Sequence, residues 1–148
     1  MQKLHPAILL AEFLPSYYEI EMSNKLIETD KAPISDKPLS QALLVDSGQW
    51  LICSGQLGID PETKVLLDGI EAQTKQIMEN ISNVLTAGGA SFDDVVKTTI
   101  FVTNLADGNA VNEIYASYFN GPFPTRSLLE VSALAGAALI EIETWAVI

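Results

Sequence analysis

Two charged side chains stand where this chain could do chemistry. Arg126 follows Pro122-Phe123-Pro124 almost at once, and Glu141 and Glu143 alternate with Ile140 and Ile142. Alternation at a period of two puts both carboxylates on one face of a strand and both isoleucines on the other. A guanidinium presents a planar fork of donors that can meet a carboxylate with two parallel hydrogen bonds. A glutamate held in a cleft can orient a water and take its proton. The plainer reading is a surface ion pair across a hairpin, which is common and weak. The two charges alone leave both readings open.

The rest of the composition narrows the chemistry. The chain has one cysteine, Cys53, and one histidine, His5. No internal disulfide or cysteine metal cluster can form, and Cys53 reads as a buried small hydrophobe. This suits a reducing compartment, and the expected location is cytoplasmic. A lone histidine near the N-terminus leaves no Ser-His-Asp or Cys-His site in the core and no histidine-based metal site. Residues 54–58, Ser-Gly-Gln-Leu-Gly, lack the lysine and the context of a phosphate-binding loop. Metal-free chemistry by carboxylate, arginine and backbone is what remains. The net charge of −11 over 148 residues repels phosphate backbones, so nucleic acid is not an expected partner.

These residues must be positioned by a small number of elements. Residues 1–22 stand apart as an N-terminal extension, and residues 23–148 form one domain. The apolar run 6–14 is broken by Glu12 and is too short for a membrane span. It also lacks the pattern of a secretory or organelle leader. Met22 offers an alternative start. Two apolar runs, 41–46 and 50–54, flank Ser47-Gly48 and predict a hairpin. A loop follows over 55–64. Residues 69–88 predict a helix whose apolar stripe is Ile70, Ile77, Ile81, Val84 and Leu85. Ser91 to Asp94 can cap a single turn. A strand over 95–102, a second helix over 107–119 and two final strands complete an α+β order of β-β-α-β-α-β-β. Two helices can cover only one face of such a sheet. Yet residues 50–53 and 100–102 are apolar on both faces. Mean hydropathy is also positive, at +0.23. The second face therefore calls for another subunit.

With these pieces in place the sequence resembles the Rid family of reactive-intermediate deaminases, over roughly residues 23–148. The resemblance is carried by Ser54-Gly55-Gln56, by Glu71-Ala72-Gln73, and by Lys97-Thr98-Thr99-Ile100-Phe101-Val102. It continues through Val111-Asn112 with Tyr115 and Phe119, Phe123-Pro124-Thr125-Arg126-Ser127, Glu130-Val131 and Ile140-Glu141-Ile142-Glu143. It implies a chorismate-mutase-like fold assembled as a homotrimer, with sites between subunits. It also implies a hydrolase acting on C=N, of the 2-iminobutanoate/2-iminopropanoate deaminase type. Such an enzyme turns 2-imino acids and enamines released by pyridoxal-phosphate enzymes into 2-oxo acids and ammonia, with no cofactor.

By the same resemblance Arg126 binds the substrate carboxylate and Glu141 handles the attacking water. Ser54 and Asn112 match positions that line or brace the pocket. Ser54 is equally readable as a strand-end hydroxyl, and Asn112 reads as a helix-packing residue before a substrate contact. Two positions depart from the family pattern. Leu39 stands where many members carry a tyrosine, and Leu128 where many carry a cysteine, which makes the pocket more apolar. The alternative function is a non-catalytic trimer of the same fold that binds a small carboxylate or a partner protein. An RNA-cleaving role, attached to some relatives, is disfavoured by the acidic charge.

Overall fold

The computed structural model describes residues 24–148. The expected N-terminal extension lies outside the described residues. The fold is built on Val95–Val102 (β4), where six of eight residues are β-branched and every second side chain is buried. Stiff, branched side chains favour the extended backbone and pack well on a pleated surface. Ile140–Val147 (β6) lies antiparallel to β4, and Thr125–Glu130 (β5) lies parallel to it on the other side. Trp50–Leu57 (β3) pairs antiparallel with β6, so the main sheet runs β3-β6-β4-β5. A parallel pair needs a crossover, and Gly108–Ala116 (α2) supplies it between β4 and β5.

The long helix Ile70–Ala87 (α1) begins at Gly69, whose φ of 83° suits a residue without a β-carbon. Its inner stripe is Ile77, Met78, Ile81 and Leu85, all buried. Ile70 is half-buried against them. Val84, expected in that stripe, is 37 % exposed instead, and Met78 takes the inward place. Buried Gln73 ties the helix to two loops. Its Nε2 donates to the Leu67 carbonyl at 2.9 Å, and its Oε1 accepts from the Leu139 N–H at 2.8 Å. Satisfied polar groups of this kind fix one register rather than adding much net stability. The turn before β4 is closed by the expected cap, with Ser91 and Asp94 forming a reciprocal capping box.

Both helices cover the same face of the sheet. There Ile100, Val102, Ile140, Ile142 and Ala146 meet α1 and the α2 residues Val111 and Tyr115. Each of these seven is fully buried. Among the described residues nothing covers the other, open face. Trp50, Ile52 and Trp145 stay 55 %, 62 % and 42 % exposed on it. The two indoles meet edge to face, with centroids 6.4 Å apart.

The expected hairpin does not form. Ala42–Leu44 (β2) pairs with a strand absent from the sequence reading, Lys25–Ile27 (β1), as a separate two-stranded ladder. β3 pairs with β6, and Gln49 and Ile148 exchange backbone hydrogen bonds to extend that ladder. An eight-residue partner offers more cross-strand pairs than a three-residue neighbour, and that outweighs proximity in sequence. β3 also runs beyond Ser54 to Leu57. It gets there through an extra residue between Cys53 and Gln56, a β-bulge.

Candidate active site

Arg126 is the second residue of β5 and lies opposite Thr98 of β4. Thr98 is buried on the helix-covered face, so Arg126 points to that face as well. Its guanidinium carbon sits 5.1 Å from the centroid of the Tyr115 ring on α2. The Tyr115 hydroxyl is hydrogen-bonded to Thr98 Oγ1 at 2.9 Å. Arg126 Nε and Nη1 are buried with no hydrogen-bond partner among the described residues. Burial holds the guanidinium pKa below its ordinary value. Burial pushes the Tyr115 phenol up to about 12, against the opposing pull of Thr98 and Arg126. A buried cation with free donors is costly unless an anion completes it.

Two of the other expected residues share this side. Leu128 follows Arg126 by two residues, opposite Ile100, and packs against the core. Asn112 sits one helical turn before Tyr115, and its Oδ1 is buried without a hydrogen-bond partner among the described residues.

Glu141 lies on the opposite, open face. It is in register with Phe101 of β4 and Leu57 of β3. The carboxylate occupies the space beside Gly55, where any β-carbon would collide with it. Ser54 precedes Gly55 in the bulge and is exposed. It is therefore a mid-strand residue rather than a strand-end hydroxyl. Leu39 lies just before β2 and lines a small recess with Glu28, Pro33, Ile34, Ser35 and Gln41. The next residue ties it to the entry of β5. Ser40 N donates to the Pro124 carbonyl at 3.1 Å, and Ser40 Oγ donates to the Phe123 carbonyl.

Within one chain the six residues thus divide into two half-sites and an outlier. Arg126, Asn112 and Leu128 gather on the covered face. Glu141 and Ser54 gather on the open face, and Leu39 stands at the β5 entry. Tyr115 and Thr98 were assigned no role from sequence. An inward threonine in β4 facing a helix with an inward tyrosine was the available signal, since buried hydroxyls must find partners. Among the described residues no three His, Cys, Asp or Glu side chains come together as metal ligands. Cys53 is buried in the core and its thiol pKa is raised by that burial, as befits a small hydrophobe.

This architecture defines an α+β chain of chorismate-mutase-like type, with Arg126 on one sheet face and Glu141 on the other. The family model described as endoribonuclease L-PSP matches residues 29–148. The chain is 42 % identical over 124 residues to the human 2-iminobutanoate/2-iminopropanoate deaminase, covering 83 % of this chain and 89 % of that protein. It is 43 % identical over 127 residues to protein DfrA of Myxococcus xanthus, covering 85 % and 97 %. The crystal structure of RidA from an Antarctic Psychrobacter superposes with a TM-score of 0.67 at 40 % identity, covering 84 % and 99 %. The chain belongs to the Rid family.

Proposed function

We propose that this protein is a hydrolytic deaminase of 2-imino acids and their enamine tautomers, working as a homotrimer with each site shared by two chains. The observation that carries the reading is Arg126. It is a half-buried cation whose Nε and Nη1 lack any partner among the described residues, so it is a receptor for a small anion. The name of the human relative, 2-iminobutanoate/2-iminopropanoate deaminase, supplies the anion's class.

The division of the half-sites supports the shared arrangement. One chain cannot bring Arg126 and Glu141 onto the same ligand through its own sheet, but the open face of one copy can meet the β5 edge of the next. A ring of three such contacts closes and also covers Trp50, Ile52 and Trp145, which a lone chain leaves in water. The open face already has a recess of about 380 Å³, lined in part by Leu43, Trp50 and Trp145.

In the reaction Arg126 holds the substrate carboxylate by two hydrogen bonds and so fixes its plane. Glu141 of the adjoining copy orients a water toward C2 and takes its proton as the C–O bond forms. The C=N π pair moves to nitrogen, giving a tetrahedral carbinolamine. Proton return from Glu141 to that nitrogen completes the neutral carbinolamine. Glu141 then takes the carbinolamine O–H proton as the C=O bond forms and passes it to the departing nitrogen, so ammonia leaves and the 2-oxo acid remains. The net charge of −11 favours this reading over cleavage of RNA, a polyanion. The test is keto-acid release from threonine dehydratase with and without the protein. Faster release in its presence is the expected result. An unchanged rate, with 2-imino acid still accumulating, overturns the reading.

A further inference from the structure

We infer that Tyr115 is a positioning residue for the carboxylate clamp, holding Arg126 by the face of its guanidinium so that the in-plane donors stay free. The inference deepens the deaminase reading and takes the class of ligand from it. A long, four-torsion side chain must be ordered before it can bind well, because ordering it at capture costs affinity. The usual way to order an arginine is a carboxylate neighbour, which would occupy the same N–H edge that a ligand needs. Arg126 has no such neighbour among the described residues. Instead its guanidinium carbon lies 5.1 Å from the Tyr115 ring centroid. That attraction uses the ring's π face and leaves the N–H groups unspent.

The ring is itself held at two points. Its hydroxyl is bonded to Thr98, which is the cross-strand partner of Arg126, so β4 and β5 set the distance between anchor and cation. Phe119 packs against Tyr115 with centroids 4.8 Å apart, and Phe92 and Phe123 in turn pack on Phe119 at 5.3 and 6.0 Å. With its pKa near 12, the phenol stays neutral at working pH and does not become a competing counter-ion.

Calorimetric binding of 2-oxobutanoate to the full chain tests this, alongside kcat/KM and the amide-type Nε–H NMR signal of Arg126, assigned through Arg126→Lys. Tyr115→Leu is expected to weaken binding about tenfold, and Tyr115→Phe about twofold, since the ring face carries most of the effect. The Arg126 signal should lose its ring-current shift in the Leu variant and largely keep it in the Phe variant. A merely structural role would lower the active fraction and leave the dissociation constant alone. Unchanged binding by Tyr115→Leu overturns the inference, as do equal losses in the two variants. If the Leu variant does not fold, the Phe variant decides: its Arg126 signal moving to the free-arginine position overturns the inference. Wild-type protein that binds 2-oxobutanoate with this ordering of variants, yet releases no keto acid from imines, sinks the deaminase reading and leaves the positioning role standing. Wild-type protein that binds no 2-oxobutanoate overturns the positioning role.

Discussion

The two faces of the sheet are made from the same strands and behave differently. On the covered face, alternate residues of β4 and β6 are buried under two helices. There Arg126 is brought in from β5, its guanidinium carbon 5.1 Å from the centroid of the Tyr115 ring. On the open face two tryptophans and an isoleucine remain in water beside Glu141 and Glu143. Period-two alternation makes this division unavoidable. Residues on one strand that differ by an odd number go to opposite faces, and cross-strand register fixes the rest. The covered face can be completed by its own chain, and the open face cannot. On the proposed mechanism, a catalytic pair split between them makes assembly a condition for chemistry.

The most drastic way to break the contrast is to spoil the open face alone. Ile52→Asp places a charge at a site that is 62 % exposed in the single chain, so the fold should survive. Assembly should not survive, because a carboxylate buried against a second apolar face is expensive. Light scattering should give a folded monomer and the deaminase assay no signal. A fully active trimer would show that this face is not the interface. A wild-type protein that is itself a stable monomer would remove both the assembly and the shared site.

The split pair gives the next largest effect. Arg126→Lys keeps the charge and loses the planar fork, so kcat/KM should drop about 100-fold through misplacement of the substrate. Glu141→Gln keeps the size and loses the base, and its loss, about 10²–10⁴-fold, should fall on kcat rather than KM. If each site takes its arginine and glutamate from different copies, refolding the two dead variants together should restore roughly a quarter of the sites. Recovery near zero would place both residues of a site in one chain.

The sequence carried the covered face well and the open face poorly, for a physical reason. Burial within one chain leaves a periodicity, and the strand over Val95–Val102 and the helix over Ile70–Ala87 were legible from it. Pairing choices leave no such trace. β1 is three residues long, too short for any period to register, and without it β2 defaulted to a hairpin with β3. Gly55 within the run is a bulge signal, but it reads equally as the start of a turn, so β3 was ended too early. Arg126 and Glu141 were picked out by resemblance and by the chemistry of their side chains. That they face opposite ways depends on β4 lying between β5 and β6, and the order of strands in a sheet is not written in any one strand. Leu39 and Leu128 were grouped by the same resemblance, although Leu128 lies on the covered face and Leu39 lies apart from it, before β2.

A gentler perturbation sharpens the contrast on the Glu141 side. Gly55→Ala puts a methyl group into the space of the Glu141 carboxylate. The end of a flexible side chain can swing away cheaply, so the melting temperature should change little. Glu141 would then be displaced from its water. The expected loss is roughly tenfold in kcat, a fraction of a full acid–base contribution. A large loss of stability with normal kcat in the folded fraction would mean that Gly55 serves only the packing of the bulge.

The smallest effect concerns the leucines on the Arg126 side. Leu128 follows the clamp on the same strand face, and Leu39 is joined through Ser40 to the Phe123-Pro124 entry of that strand. Both offer apolar area where a tyrosine or a cysteine would offer a polar handle. The pocket should therefore favour imino acids with larger apolar side chains over the smallest. Each added methylene that becomes buried is worth about 0.8 kcal/mol, and a pocket discriminates one methylene by about 10–200-fold at best. The preference should thus be real and modest. It can be read as kcat/KM across imines generated in place from alanine, 2-aminobutyrate, leucine and methionine by an amino-acid oxidase. Leu128→Cys should flatten the profile more than Leu39→Tyr, because Leu128 shares the strand face of Arg126 and Leu39 reaches it only through a neighbouring loop. A flat wild-type profile would show that neither leucine shapes the pocket. A response to Leu39→Tyr alone would place the specificity surface at the strand entry, with Leu128 left to the core.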